Sequence, residues 1–125
     1  MFLEERLDNE LKSNLQGYLI LKCVEHYNGV SYGYQIKQYI EQKIGEKVSE
    51  GTLYPLLSKM TNPNKYGYLS SFQEETEKKR KRRYYKLTIE GRNQLSSWPE
   101  AWKRVRDFVQ SILLQIGAFS DSDLN

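Results

Sequence analysis

The chain is poor in the residues from which most enzymes and metal sites are built. Its 125 residues include one cysteine, Cys23, and one histidine, His26. A lone cysteine excludes an internal disulfide and suits a reducing cytoplasm. Together with His26 it supplies too few ligands for a zinc site of Cys and His alone. The carboxylates fall into no metal-binding or acid–base pattern, and no nucleophile stands beside a base. We therefore expect neither an enzyme nor a cofactor. No apolar run approaches the roughly 18 residues needed to cross a bilayer, so no membrane partner is expected. The opening residues, Met1-Phe2-Leu3-Glu4-Glu5-Arg6, carry two acids and lack the apolar core of a secretory signal, which leads us to expect a cytoplasmic protein. The length suits one domain with a modest core.

What is present is charge in one place. The formal net charge is only +3, but Lys78-Lys79-Arg80-Lys81-Arg82-Arg83 holds six of the 19 basic residues. Without that block, 13 bases face 16 acids and the rest of the chain is mildly acidic. Charge gathered this way suits contact with a polyanion better than general solubility, although a solvated loop has the same composition.

The first long segment, about 8–27, reads as a helix with two apolar stripes, Leu7/Leu11/Leu15/Leu19 and Ile20/Cys23/Val24/Tyr27. Such a helix either serves two partners, its own domain and a second chain, or lies in the domain centre. Asn28-Gly29 should end it. Ser31 is placed to cap a second helix, 32–44, with Ile36, Ile40 and Ile44 on its buried side and Gly45 closing it. After a short turn, Ser49 should cap a third helix through Met60, with Leu53, Leu56, Leu57 and Met60 sharing a stripe. Its other side shows Thr52, Tyr54, Pro55, Ser58 and Lys59, with no acid after Glu50. Hydroxyls, a phenol and an ammonium are groups that bond to phosphates and base edges. Two short helices so joined make a helix-turn-helix.

Residues 68–72 and 82–87 alternate like strands, joined by a charged connection over 73–81. Thr88 should cap a last helix reaching about Ile116, with Pro99 kinking it or restarting it from Ser97. Its stripe of Leu95, Trp98, Trp102, Val105, Val109 and Ile112 is long for a small domain. The economical cover is a two-fold dimer; the alternative is that the helix folds back on its own domain.

Three segments, Gly33-Tyr34-Gln35-Ile36, Ser49-Glu50-Gly51-Thr52-Leu53-Tyr54-Pro55-Leu56-Leu57 and Arg83-Tyr84-Tyr85-Lys86-Leu87-Thr88-Ile89-Glu90-Gly91, occur in the order and with the spacing of a known family. Over roughly 11–113 the chain resembles the PadR transcriptional regulators. The resemblance implies a mainly α (α+β) winged helix-turn-helix with a two-stranded β-wing and a long C-terminal dimerisation helix. It implies a homodimer joined through its terminal helices (Leu11, Leu15 and Leu19 of the first; Trp98, Trp102, Val105, Val109 and Ile112 of the last). It further implies repression from pseudo-palindromic double-stranded promoter DNA.

Carried over by position, Tyr34 and Lys37 would lie near the DNA backbone and Ser49, Thr52 and Tyr54 at the major groove. Arg80, Lys81, Arg82 and Arg83 would bring the wing to a minor groove or phosphate. Lys79 joins them as part of the basic block, and Lys59 as part of the polar helix side. Trp102 matches a position where multidrug-binding relatives place a tryptophan, which implies a small aromatic effector; packing in the interface is the alternative. The turn over 61–67 is longer than the family's usual one, and bases replace the usual Gly-Pro before Arg83.

The expected organisation is a winged-helix DNA-binding domain with its N-terminal helix over 1–88, a dimerisation helix over 89–118 and a disordered tail over 119–125. The rival readings are a ligand-sensing scaffold or a protein-interaction module whose basic block meets an acidic partner.

Overall fold

The computed structural model describes residues 3–124; Met1, Phe2 and Asn125, parts of the expected N-terminal domain and tail, lie outside the described residues. In chain order the elements are α1 (Leu3–His26), β1 (Val30–Tyr32), α2 (Gly33–Ile44), α3 (Glu50–Thr61), β2 (Leu69–Glu75), β3 (Lys81–Leu87) and α4 (Ile89–Gln115), followed by a 3-10 turn (Asp121–Leu124). Contacts divide the chain into two compact units, 1–95 and 96–125.

In the first unit the apolar stripes read from the sequence become one core. Ile20, Cys23 and Val24 of α1, Ile36 and Ile40 of α2, and Leu53, Leu57 and Met60 of α3 are buried together with Leu69, Tyr85 and Leu87 of the strands. Each such side chain contributes about 1.5–3 kcal/mol by leaving water, which is why helices as short as α2 and α3 hold. Leu19, one of the residues expected at the dimer interface, is partly buried against this core, whereas Leu3, Leu7, Leu11 and Leu15 are exposed. The helix changes face along its length, serving its own domain only from about residue 16 onward.

The turns are built from the expected residues. Asn28 and Gly29 take φ of 63° and 96°, and the Gly29 N–H closes on the Val24 carbonyl at 2.8 Å. Gly45 ends α2 at φ 72°, its N–H donating to the Glu41 carbonyl at 2.9 Å. The Glu41 carboxylate accepts the Val48 N–H at 2.8 Å and so fixes the turn into α3. Pro55 lies inside α3 without ending it.

The sheet corrects the sequence reading in three ways. A short strand, β1, precedes α2 and pairs with β3, giving the antiparallel order β1-β3-β2 in place of a lone hairpin. Ser31 is therefore not the cap of α2 but a buried strand residue opposite Tyr85; Tyr32 takes the cap position. Strands β2 and β3 also extend beyond the apolar residues, pairing Gln73 with Arg83, Glu74 with Arg82 and Glu75 with Lys81. Two of these pairs are of opposite charge, and each such cross-strand pair is worth about 0.2–1 kcal/mol, so the ladder continues where hydrophobic alternation stops. The connection shrinks to residues 76–80, with the Thr76 N–H donating to the Arg80 carbonyl at 2.8 Å.

The last helix starts as expected, the Thr88 hydroxyl accepting the Gly91 N–H at 3.0 Å and donating to the Gly67 carbonyl at 2.6 Å. It does not restart at Ser97: α4 is continuous through Pro99, which removes a single donor from the ladder. In the second unit, the 3-10 turn stands where a disordered tail was expected. Asp123 accepts from the Ser120 N–H at 2.7 Å and from its hydroxyl at 3.1 Å, a local capping that needs no core.

Cys23 is buried against the Ser31 hydroxyl (3.7 Å), and burial pushes its thiol up to about 11. The protonated form is thus favoured by folding, so the stabilisation is complete below the thiol's ordinary pKa of 9.0 and is lost as pH rises toward about 11. Unfolding free energies from urea titrations between pH 8 and 10.5 should fall more steeply in the wild type than in Cys23→Ala, by up to about 1.4 kcal/mol per pH unit. Tyr85, also raised by burial, contributes alike in both proteins, whereas Tyr39, raised by burial and then by the neighbouring Cys23, loses the second of these influences in Cys23→Ala, which adds to the difference. Parallel curves would mean that the thiol ionises freely in the fold.

Candidate nucleic-acid interface

The N-terminus of α3 is ordered by its own hydroxyls. Ser49 Oγ accepts the Thr52 N–H at 3.2 Å and lies 2.9 Å from Thr52 Oγ1. Both residues are exposed. One hydroxyl hydrogen is spent between them, and the other, with the remaining lone pairs, is left toward solvent.

Beside this helix end lies a cleft of about 560 Å³ lined by Tyr32, Gly33, Tyr34, Tyr54, Tyr85 and three successive bases, Lys81, Arg82 and Arg83. None of these lining residues is an acid. Several candidates scattered over fifty residues of sequence are thus gathered here: Tyr34 from α2, Tyr54 from α3, and Lys81, Arg82 and Arg83 from β3. The Tyr54 phenol crosses the start of α2, where a Cβ on Gly33 would meet its Oη at 3.0 Å and Cε1 at 3.3 Å. Glycine is what lets the phenol lie there. Tyr54 therefore faces the cleft between α2 and β3, and not only the open side of α3 that the carried-over major-groove role assumes. Tyr34 is exposed and its hydroxyl accepts from Gln38 Nε2 at 3.0 Å, leaving its own hydrogen to donate outward.

The two arginines at the root of the hairpin are held in place. Arg83 donates to the Ser71 hydroxyl at 3.3 Å, and the Arg82 guanidinium lies over the Tyr32 ring, 4.1 Å from its centroid. Lys79 and Arg80 sit in the exposed tip, Lys79 at φ 57°. Lys37, on the next turn of α2, is half-buried, and Lys59 is exposed in the last turn of α3; neither lines the cleft. Sequence reasoning missed Tyr32, Gly33 and Tyr85. Gly33 was visible within a motif, but a partner for Tyr32 twenty residues beyond α3 was not. Within the second unit, Trp98 and Trp102 stack at 6.1 Å and 10°, and Trp102, Val105, Val109 and Ile112 are exposed.

A cleft with three bases and four phenols at the N-terminal ends of a helix pair, beside a charged hairpin, is the surface of a winged helix-turn-helix. The profile of the Transcriptional regulator PadR-like family matches residues 20–97. The chain is a member of the PadR-like family of transcriptional regulators.

Solved structures agree. A PadR-like transcription factor from Bacteroides fragilis is 28% identical, covering 86% of this chain and 98% of its own, with a TM-score of 0.65. A protein from Streptococcus mutans UA159 is 37% identical, covering 81% and 88%, with a TM-score of 0.61. A PadR family transcription regulator from Clostridium difficile is 26% identical, covering 81% and 96%, with a TM-score of 0.58. No functionally curated protein matches the chain. Members of this family are transcriptional regulators, which act by binding DNA and not by catalysis. Among the described residues, no group of three or more His, Cys, Asp or Glu side chains could hold a metal ion. No helix among them is long and apolar enough to cross a membrane.

Proposed function

We propose that this PadR-like regulator is a cytoplasmic repressor that binds a pseudo-palindromic double-stranded promoter site as a homodimer. The observation that carries the proposal is the acid-free cleft that joins Tyr34, Tyr54, Lys81, Arg82 and Arg83 beside the hydroxyls of Ser49 and Thr52. In this reading the α3 helices enter successive major grooves about 34 Å apart. The phenols of Tyr34 and Tyr54 and the ammonium of Lys37 meet the backbone. Ser49 and Thr52 face base edges, with Lys59 at the far end of the same helix. Lys79, Arg80, Lys81, Arg82 and Arg83 reach phosphates and the adjoining minor groove, where they supply affinity with little sequence content.

Two exposed apolar stripes support the homodimer. One is Leu3, Leu7, Leu11 and Leu15 of α1; the other is Trp102, Val105, Phe108, Val109 and Ile112 of α4. Exposed apolar rows of this kind mark surfaces that a partner covers. Trp98 and Leu19 border these stripes. Gly17, mid-way along α1, has nothing within 4 Å of the place a Cβ would take, a notch that a second chain could fill. The stacked Trp98–Trp102 pair gives a planar aromatic effector a surface to extend, with Trp102 as its contact.

Footprinting on the chain's own upstream region tests the proposal: two protected half-sites bound by two chains are expected. Thr52→Ala should lower the preference for that site over random duplex by about five- to a hundredfold per half-site, the worth of one good base contact. It should leave non-specific binding unchanged. An equal loss on all DNA would remove Thr52 from base readout.

A further inference from the structure

The hairpin outruns the strand that supports it. Strand β1 ends at Tyr32, whose register partner on β3 is Tyr84. Residues Lys81, Arg82 and Arg83 therefore have a ladder partner on the β2 side only. A two-stranded projection is marginal in water, and a long arginine on it samples many rotamers. Arg82 is nonetheless tied down. Its guanidinium stacks on Tyr32 at 4.1 Å, Tyr32 meets Tyr84 edge-on at 5.9 Å, and Tyr84 stacks on Phe72 at 5.5 Å. This row crosses all three strands.

Its end at Tyr32 is also the start of α2. The Tyr32 N–H donates to Gln35 Oε1 at 3.3 Å, and the same oxygen accepts the Ser31 hydroxyl at 2.9 Å. Arg82 is thereby referenced to the helix pair and not only to its own flexible hairpin.

From this arrangement, and resting on the DNA-binding reading above, we infer that Tyr32 is a positioning residue that holds Arg82 against the start of α2. The wing arginine and α3 then address the DNA as one rigid reading head. A guanidinium fixed before binding loses little rotamer freedom on contact, and its planar fork suits a phosphate or narrow minor groove. Tyr32 needs no contact with DNA for this, and its phenolic hydroxyl is not required.

The test is a double-mutant cycle on promoter binding. Tyr32→Leu should weaken operator affinity about three- to tenfold per half-site, while Tyr32→Phe, which keeps the ring, stays within about twofold of wild type. In an Arg82→Ala background Tyr32→Leu should cost nothing further. Arg82→Lys keeps the charge but not the stacking plane, so it should reproduce the Tyr32→Leu loss with an unchanged salt dependence. That arm changes only an exposed residue and stands even if Tyr32→Leu folds poorly.

Equal losses from Tyr32→Leu in both backgrounds, or wild-type binding by Arg82→Lys, would overturn the assignment. A readout independent of DNA is the Arg82 Nε–Hε resonance in the free protein. It should carry a ring-current shift that Tyr32→Leu removes and Tyr32→Phe keeps, and an unshifted signal in the wild type would equally overturn the assignment. A wild-type protein that fails to bind its promoter, with that shift present, would instead sink the DNA-binding reading and leave the Tyr32–Arg82 tether intact.

Discussion

Replacing Lys79, Arg80, Lys81 and Arg82 together with alanine should weaken binding to every duplex, whatever its sequence. If each base neutralises one phosphate, each protomer should make the slope of log K against log[salt] shallower by about 3.6 and lower affinity at about 0.15 M salt by about three decades. The effect is large because it adds four contacts of one kind, each worth a released counterion. All four side chains are exposed and none forms an ion pair among the described residues, so the fold has little to lose. The fold loses the Arg82 contact with the Tyr32 ring, and the cross-strand neighbours Glu74 and Glu75 lose an opposite charge, a few tenths of a kcal/mol each. Fluorescence anisotropy titrations of operator and random duplex over a range of salt concentrations check the prediction. Operator affinity that survives the change, or a slope that does not move, would show that the hairpin is not the electrostatic contact. Such an outcome would favour the protein-interaction module, whose basic block meets an acidic partner instead.

Gly91→Ala should be the most damaging single methyl in the chain. Gly91 is buried in the first turn of α4, and a Cβ there would collide with the Tyr68 carbonyl oxygen while pressing on Leu87 Cδ2 at 3.2 Å. Neither neighbour can yield cheaply. The Tyr68 carbonyl accepts the Thr88 N–H at 3.1 Å, so moving it breaks the junction between β3 and α4; Leu87 is a core residue. Overpacking without relief costs about 3 kcal/mol, which for a domain of this size lowers Tm by roughly 10 °C or more. Thermal unfolding followed by circular dichroism measures it directly. A midpoint within about 3 °C of wild type would show that α4 can slide away from Tyr68 without penalty. The same variant should bind DNA normally at low temperature, because Gly91 lies outside the cleft.

These two predictions differ in how far they could be read in advance. The basic block is visible in one dimension because charge is a property of the residues themselves. The role of Gly91 is not, because a glycine at the start of a helix announces nothing until the carbonyl it accommodates, 23 positions earlier, is in place. The same contrast runs through the site. Ser49 as the cap of α3 follows from a hydroxyl three residues before an acceptable donor, and Leu53, Leu57 and Met60 follow from helical period; both hold in the structure. Tyr54 was assigned to the open side of α3 by the same period, yet its phenol lies across Gly33, since a neighbouring helix start leaves room there.

The sequence by itself determined the helices, their caps at Ser49 and Thr88, the division of α3 into buried and polar sides, and the place of the concentrated charge. All of these depend on spacing within a few residues, where backbone periodicity and local hydrogen bonds decide the outcome. Tertiary structure alone decided the third strand, the length of the charged hairpin and the seat of its arginines. Strand β1 is three residues long and has no stability apart from β3, and Glu74 and Glu75 join a strand by pairing with Arg82 and Lys81 across the sheet. Arg82 likewise acquires a fixed direction only when a ring fifty residues earlier is brought beneath it. Such contacts arise from pairing across the sheet, and no local pattern in the chain encodes them.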